Sequence, residues 1–375
     1  MMSKHNVLGI ALTLALLISA PPAWAQTVTE GYELVKYPSL RMGGQFTAYN
    51  GEIHYWETGR TRISNNYPGG SYHVYNVATG VDTNYGGPSA GVLSNGGGDP
   101  FGVLDPVNKV YYVATYKSPD HIYTYDLQTQ EWNTTGPAGV GIKNAFGGQV
   151  HNGQLYIGGL NALWNGGTNQ DNYIFAFDHS ANPGETGRHD ALIKTAGMSA
   201  YIAVAPNGDI YYATYVTLGN STLYRWTAAQ VASVRDDLYA DDAVDRYLTL
   251  ADAVQTWSLP GSGAGLTVDA GGNIFFTVNE YDWKTWDTIS ILGMIDASAP
   301  GGYRELVRNV CDDFGTWFGA ISVDGDFLKG DTLYFTPTMF GGSGMWALTG
   351  PAVPEPTTMA LLALAGVAAL RCRRR

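Results

Sequence analysis

The sequence predicts an all-β fold of six repeated sheets, and three observations support this prediction. A turn followed by an aliphatic–aromatic strand occurs six times. The aliphatic residues that open these strands are 57, 45, 55, 64 and 59 residues apart. Each copy then continues with a further aromatic-rich strand. Recurrence at a period of this length is typical of a repeat architecture, in which one small structural unit is used many times.

Each repeat is predicted to begin with a hairpin. Asn-Gly at positions 50–51, 152–153 and 207–208 and Gly-Gly at 271–272 supply the positive φ angles that tight hairpin turns need. A turn of this kind between two apolar runs predicts strand, turn and strand. The second strands of the six hairpins are predicted at 53–55, 110–112, 155–157, 210–212, 274–276 and 333–335.

Two more strands are predicted to complete most repeats. Third strands are predicted at 72–75, 121–126, 173–178, 223–226, 289–296 and 345–348. Outer strands are predicted at 131–135, 192–196, 254–259 and 305–310. The last repeat has no outer strand of its own, but "YELVKYP" at 32–38 resembles "RELVRNV" at 304–310. We therefore expect residues 32–38 to be the outer strand of the sixth sheet, which closes the ring and removes exposed strand edges.

Several repeats resemble the blades of known propellers. "IYTYDLQTQEW" and "YIFAFDHSANPGE" resemble kelch-type blades, as does "LYIGG" at 155–159. "VAPNGDIYYA" and "VDAGGNIFFT" are similar to blades of lactonase-like and NHL-type propellers. Both resemblances imply a six-bladed β-propeller with four-stranded sheets around a channel. One segment, 228–253, has apolar residues at three- and four-residue spacing and predicts a helical insertion on the outside of the fourth blade.

The first 25 residues have the pattern of a secretory signal peptide. Lys4 and His5 precede an apolar run at 7–20, and Ala23-Trp24-Ala25 follows. A charged segment, an apolar segment and a small-x-small site occur in this order in signal peptides. We expect signal peptidase to cleave after Ala25, so that the exported protein begins at Gln26.

The last 25 residues contain a second targeting pattern. A Pro-Glu-Pro box, made of Pro354, Glu355 and Pro356, precedes an apolar run at 357–370. As a helix, these 14 residues would span about 21 Å, against about 30 Å for a bilayer core. A basic cluster ends the chain: Arg371, Arg373, Arg374 and Arg375. The sequence predicts a short transmembrane segment with its basic end in the cytoplasm.

This tail resembles the PEP-CTERM sorting signal of Gram-negative bacteria. The resemblance implies processing by an exosortase near the Pro-Glu-Pro box, typically in species that make exopolysaccharide. It predicts transient anchoring in the membrane, followed by release to the cell surface or the extracellular space. Three regions are then expected: the signal peptide (1–25), the propeller (26–350) and the sorting signal (351–375).

Charge and cysteine content limit the possible partners of the body. Residues 26–350 contain 16 basic and 32 acidic residues, a formal charge of about −16. Such a surface repels nucleic acid and anionic lipid, so we expect neither as a partner. Cys311 is the one cysteine of the body and has no internal disulfide partner. The fold therefore depends on its apolar core.

No motif in the sequence identifies a reaction, a cofactor or a metal. "GPSAG" at 87–91 fits the nucleophile-elbow pattern, but loop-like sequence surrounds it instead of a strand and a helix. "GSGAG" at 261–265 runs into a strand, so it does not fit a phosphate-binding loop. "DGD" at 324–326 lacks the rest of a calcium loop. The body histidines show no H-x-H or H-x-x-x-H pair, although a metal ring across blades stays possible.

The loops that enter the innermost strands are the predicted ligand-binding site. In a propeller these loops converge on one mouth of the channel. The predicted residues are Gln45, Asp99, Asn144, Ser199, Ser262 and Trp317. Amide, carboxylate and hydroxyl groups beside an indole suit a glycan. Binding of glycan or of another secreted protein is the first prediction, and an exported hydrolase or lyase acting on polysaccharide or a lactone is the alternative. Ice binding is a third possibility, but the flat Thr-x-Thr ladders that it needs are absent from the sequence.

Overall fold

The structure, a computed structural model, describes most of the body and almost nothing of the terminal segments. The described residues are 25–42, 44–57, 70–88, 101–114, 122–133, 143–160, 172–177, 188–195, 201–216, 219–237, 247–281, 288–311, 317–337 and 343–350. Of the two predicted targeting segments, 1–25 and 351–375, only Ala25 lies within these ranges. Within these ranges no helix is long and apolar enough to cross a membrane.

The described strands form six antiparallel sheets, and the predicted six-bladed β-propeller is confirmed. Two strands, β1 (Ala25–Val28) and β2 (Glu33–Arg41), precede the first blade. Blade one consists of β3 (Thr47–Tyr49), β4 (Glu52–Glu57), β5 (Ser71–Asn76) and β6 (Val81–Asn84). Blade two consists of β7 (Phe101–Asp105), β8 (Val110–Ala114), β9 (Tyr123–Asp126) and β10 (Glu131–Asn133). Blade three consists of β11 (Lys143–His151), β12 (Gln154–Leu160), β13 (Asn172–Phe177) and β14 (Arg188–Thr195).

The second half of the ring repeats the same order. Blade four consists of β15 (Tyr201–Val204), β16 (Ile210–Ala213), β17 (Ser221–Trp226) and β18 (Gln255–Leu259). Blade five consists of β19 (Ser262–Val268), β20 (Ile274–Tyr281), β21 (Thr288–Ile295) and β22 (Arg304–Cys311). Blade six consists of β23 (Ile321–Asp324), β24 (Thr332–Phe335), β25 (Ser343–Thr349) and β2.

The N-terminal strands close the ring. β2 pairs with β25, with Leu34 opposite Leu348, so the predicted completion of blade six is confirmed. The structure adds one strand that the sequence did not predict: β1 pairs with β22 and extends blade five to five strands, with Gln26 opposite Asn309. Two neighbouring blades therefore take their outermost strands from the same short segment of chain.

Left-handed turn residues close the hairpins, as the sequence predicts. In blade one, Asn50 and Gly51 have φ angles of 53° and 74° between β3 and β4. Asn and Gly adopt this region most readily, so the chain can reverse within two residues. The turn also joins blades, because the Gly51 N–H donates a 2.7 Å hydrogen bond to Oδ2 of Asp324, at the end of β23 in blade six.

The core consists of apolar clusters between neighbouring blades. Tyr211 of blade four and Phe276 of blade five belong to one such cluster, and Trp56 of blade one and Tyr111 of blade two belong to another. Burial of a large apolar side chain stabilises a fold by about 1.5–3 kcal/mol. Contacts of this kind hold the blades together without a disulfide.

The structure confirms the predicted helical insertion, of which residues 238–246 lie outside the described ranges. The helix α1 covers Ala228–Asp237. Thr227 and Gln230 form reciprocal hydrogen bonds at its start, which is the capping-box arrangement. The helix packs on blade four, as predicted, and also reaches blade three, because Val231 and Ile193 belong to the same apolar cluster. The helix covers the junction between blades three and four.

Candidate ligand-binding groove

Gln45, one of the residues predicted for the channel mouth, binds the protein's own backbone. Its side-chain Nε2 donates to the carbonyl of Gly148, and its Oε1 accepts from the Gly148 N–H at 2.8 Å. Its own carbonyl accepts from the Gly102 N–H at 3.1 Å. Gln45 thus ties together the innermost strands of blades one, two and three, and both atoms of its amide are used in doing so.

The other predicted mouth residues have different environments. Trp317 is partly buried, and its indole Nε1 donates a 3.2 Å hydrogen bond to the Thr288 hydroxyl. Ser262 begins β19, and its hydroxyl oxygen is buried without a hydrogen-bond partner among the described residues. The backbone of Asn144 lies in β11. Asp99 and Ser199 lie outside the described residues.

A groove of about 340 Å³ lies between blades four and five, at the opposite end of the sheets. This end carries the turns between the first and second strands of each blade. Three turns form the rim of the groove: 205–209 in blade four, and 269–273 and 296–303 in blade five. Pockets of this size accept small ligands or part of a larger one. The polar and aromatic residues that line the groove are Asn207, Tyr211, Arg225, Gln255, Trp257 and Asp296.

Two aromatic side chains form the apolar part of the groove. Trp257 is partly buried, and its ring centroid lies 6.3 Å from that of Tyr211 at an interplanar angle of 35°. The indole Nε1 donates a 2.7 Å hydrogen bond to the carbonyl of Pro300. This bond joins blade four to blade five and fixes the orientation of the indole. Burial raises the pKa of Tyr211, so its hydroxyl stays neutral.

Arg225 places a cationic group in the groove and is held by a buried carboxylate. Its Nη2 lies 2.7 Å from Oδ2 of Asp209, and the side chain of Asp209 is only 5% exposed. Its Nη1 donates to Oε1 of Gln255 at 3.3 Å. The other oxygen of Asp209 accepts from the N–H of Ala228 at 2.9 Å, which links the pair to the start of α1. A guanidinium has five N–H donors, so it can hold these partners and still donate to a ligand.

The remaining polar groups come from opposite walls. Gln255 and Trp257 are two residues apart on β18 and therefore point to the same side of the strand. Asp296 stands across from them, in the turn after β21. Hydrogen bonds from the side chain and backbone of Ser298 hold the pKa of Asp296 below its usual value. The groove therefore combines an indole, an amide, a guanidinium and an ionised carboxylate.

The sequence contained signals for the turns but not for the groove. The turns "APNGD" at 205–209 and "DAGGN" at 269–273 were recognisable as hairpin turns. Which turn of one blade faces which strand of the next is set by packing between blades, so Trp257 had no signal as a binding residue. In the described part of the chain, no group of three or more His, Cys, Asp or Glu residues is arranged to hold a metal ion.

Comparison with known protein families identifies the tail. Residues 352–375 match the PEP-CTERM protein-sorting motif, which confirms the predicted sorting signal. The motif implies export, anchoring in the membrane during processing, and an exosortase as the processing partner. No curated protein matches the chain in sequence.

Solved structures share the fold of the body at low sequence identity. The PQQ-bound aldose sugar dehydrogenase of Streptomyces coelicolor is 12% identical with a TM-score of 0.49, and the match covers 88% of this chain and 99% of the other. A protein of unknown function from Bacteroides thetaiotaomicron is 13% identical with a TM-score of 0.44, covering 87% and 76%. An ulvan lyase is 12% identical with a TM-score of 0.42, covering 88% and 96%. These likenesses concern the fold alone.

Proposed function

We propose that the propeller of this exported protein binds a glycan in the groove between blades four and five. The observation that carries the proposal is the position of Trp257 beside Gln255 and opposite Asp296. An indole packs against the apolar face of a sugar ring, while amide and carboxylate groups bind its hydroxyls. The hydrogen bond to Pro300 holds the indole in place, which lowers the entropy cost of binding.

The negative charge of the body determines which glycans the groove can bind. The body carries a formal charge of about −16, which disfavours polyanionic chains through long-range repulsion. Arg225 does not reverse this preference, because Asp209 already neutralises it at 2.7 Å. The ligand is therefore a neutral or cationic glycan. After processing by the exosortase, the protein resides on the cell surface or in the extracellular matrix, where such polymers are its partners.

A glycan array followed by calorimetry on the full-length protein tests the proposal. Trp257→Ala should weaken binding of the selected glycan at least tenfold, equivalent to about 1.4 kcal/mol. Trp317→Ala is the matched control, because it removes an indole at the predicted channel mouth. Circular dichroism and thermal unfolding show whether each variant is folded.

Two outcomes would contradict the proposal. A wild-type protein that binds no glycan on the array is not a glycan-binding module. Loss of binding in folded Trp317→Ala, with normal binding in Trp257→Ala, would place the site at the channel mouth near Ser262 and Trp317.

A further inference from the structure

A serine, a histidine and an aspartate come together on one face of blade one, far from the groove. Ser71 and His73 are two residues apart on β5, so their side chains point to the same side of the sheet. Asp82 lies on the neighbouring strand β6, opposite Tyr75. The four-residue turn 77–80 sets this register. All three side chains therefore belong to a single hairpin.

The distances between these groups are those of a nucleophile, a base and an orienting acid. Oγ of Ser71 lies 2.9 Å from Nε2 of His73. Nδ1 of the same ring lies 3.0 Å from Oδ2 of Asp82. A serine becomes nucleophilic when an adjacent base accepts its proton and a third group orients that base. The order of contacts, hydroxyl to Nε2 and Nδ1 to carboxylate, matches this requirement.

Neighbouring groups hold the base and leave the serine partly exposed. His73 is 6% exposed, and its ring lies 5.3 Å from the ring of Tyr55. The hydroxyl of Tyr55 donates a 2.9 Å hydrogen bond to the same oxygen of Asp82 that faces His73. Ser71, in contrast, is only partly buried.

Glu57 adds a second partner for Nε2. Its Oε2 lies 3.0 Å from that nitrogen, and Glu57 is directly opposite Ser71 in the β4–β5 pairing. When the ring carries two protons, the Nε2–H can donate to Glu57. When the ring carries one proton, on Nδ1, the Nε2 lone pair accepts from Ser71. Glu57 therefore competes with Ser71 for this nitrogen.

We propose that Ser71, His73 and Asp82 form a site that cleaves carboxylic esters. The Ser71 hydroxyl transfers its proton to Nε2 of His73 as Oγ forms a bond to the ester carbonyl carbon. The bond from that carbon to the alcohol oxygen then breaks, and the Nε2 proton moves to the departing oxygen. Water attacks the acyl-serine by the same route and releases the carboxylic acid. Asp82 accepts the Nδ1–H throughout and stabilises the charged ring.

Covalent labelling of the full-length protein with a fluorophosphonate tests this site. The probe needs only an activated serine, so a single adduct should form and map to the peptide that contains Ser71. Ser71→Ala should form no adduct, and His73→Asn should label at least about 100-fold more slowly, because a general base contributes a factor of this size or more. Glu57→Gln should label at least as fast as wild type, since the competitor for Nε2 is gone.

Matched controls distinguish a serine that is activated by a base from a serine that is merely exposed to the probe. Ser298 donates directly to a carboxylate, that of Asp296, without a histidine between them, and it should stay unlabelled. The rate of p-nitrophenyl acetate hydrolysis should rank the variants in the same order as the labelling rate. Wild-type protein that is folded and forms no adduct at Ser71, or labelling that persists in His73→Asn, would overturn the proposal.

Discussion

Leu34 lies directly opposite Leu348 across the β2–β25 pairing, so the two ends of the described chain meet in one sheet. Leu34 packs against the core cluster between blades five and six. Val35, the next residue, points the other way and is 40% exposed. Because the side chains of Leu34 and Val35 face opposite sides of β2, substitutions at these two positions test ring closure directly.

We expect Leu34→Asp to destabilise the protein and Val35→Asp to leave it nearly unchanged. A charge placed against the core should lower the free energy of unfolding by about 2 kcal/mol or more, whereas a surface change should stay within about 0.5 kcal/mol. Urea unfolding followed by fluorescence measures both, and light scattering detects association through the exposed edge of β25. Equal stability of the two variants would show that β2 does not seal the ring.

Acid should destabilise the protein through His54. Burial lowers the pKa of His54 to about 4, and its Nδ1 lies 2.6 Å from the hydroxyl oxygen of Tyr72. The carboxylate of Glu52 lies 3.6 Å from Nε2 but is 41% exposed, so burial prevails. The folded pKa is below the unfolded value, so the unfolded chain binds more protons, and stability falls as the pH drops from about 6.5 towards 4.

Comparison of wild type with His54→Gln isolates this contribution. Between pH 7.5 and pH 4.5 the wild type should lose about 2–3 kcal/mol more stability than the variant. Urea unfolding at both pH values provides the measurement. A difference that is independent of pH would mean that His54 is not held neutral in the fold.

Removal of the Asp209 carboxylate should lower the stability of the protein. Asp209→Ala leaves Arg225 without its 2.7 Å partner and removes the acceptor at the start of α1. Because Arg225 is 31% exposed and partly solvated, we expect a loss of about 2–3 kcal/mol, below the value for a fully buried pair. Asp296→Ala, which removes an exposed turn contact, is the control and should cost less than about 1 kcal/mol. Thermal unfolding measures both variants. Equal melting temperatures of Asp209→Ala and Asp296→Ala would contradict this prediction.

Processing at both ends should be visible in the mature protein. Cleavage after Ala25 leaves Gln26, Thr27 and Val28 in β1, so the new N-terminus stays paired with β22. Intact-mass analysis of protein released from the cell surface should show Gln26 as the first residue and no sequence beyond the Pro-Glu-Pro box. Surface material that still ends at Arg375 would indicate a permanent anchor.

The sequence predicted those parts of the fold whose signals are local. Asn50-Gly51 requires left-handed backbone, and the structure shows positive φ angles at both residues. The outer strand 32–38 was predictable because "YELVKYP" repeats the pattern of a strand in another blade. β1 could not be predicted, since its four residues have no period and pair only with an edge that blade five happens to leave free.

The two proposed sites were less predictable, for different reasons. Ser71 and His73 stand close together in sequence, but Asp82 joins them only through the register of β5 and β6. Trp257 depends on how blade four packs against blade five, a contact between residues that no short motif relates. For Gln45, the polar character was recognised, yet its partner proved to be the backbone of Gly148.

The position of β1 and β2 also fixes the order in which the exported chain can finish folding. In an export that begins with the predicted signal peptide, these strands emerge from the membrane first, and their partners, β22 and β25, emerge last. Pairing between such distant segments is slow, because a long loop must close before any contact forms. Blades five and six therefore stay incomplete until almost the whole body has crossed. A chain that stalls in transit presents two unpaired strand edges, which makes export itself the step most exposed to aggregation.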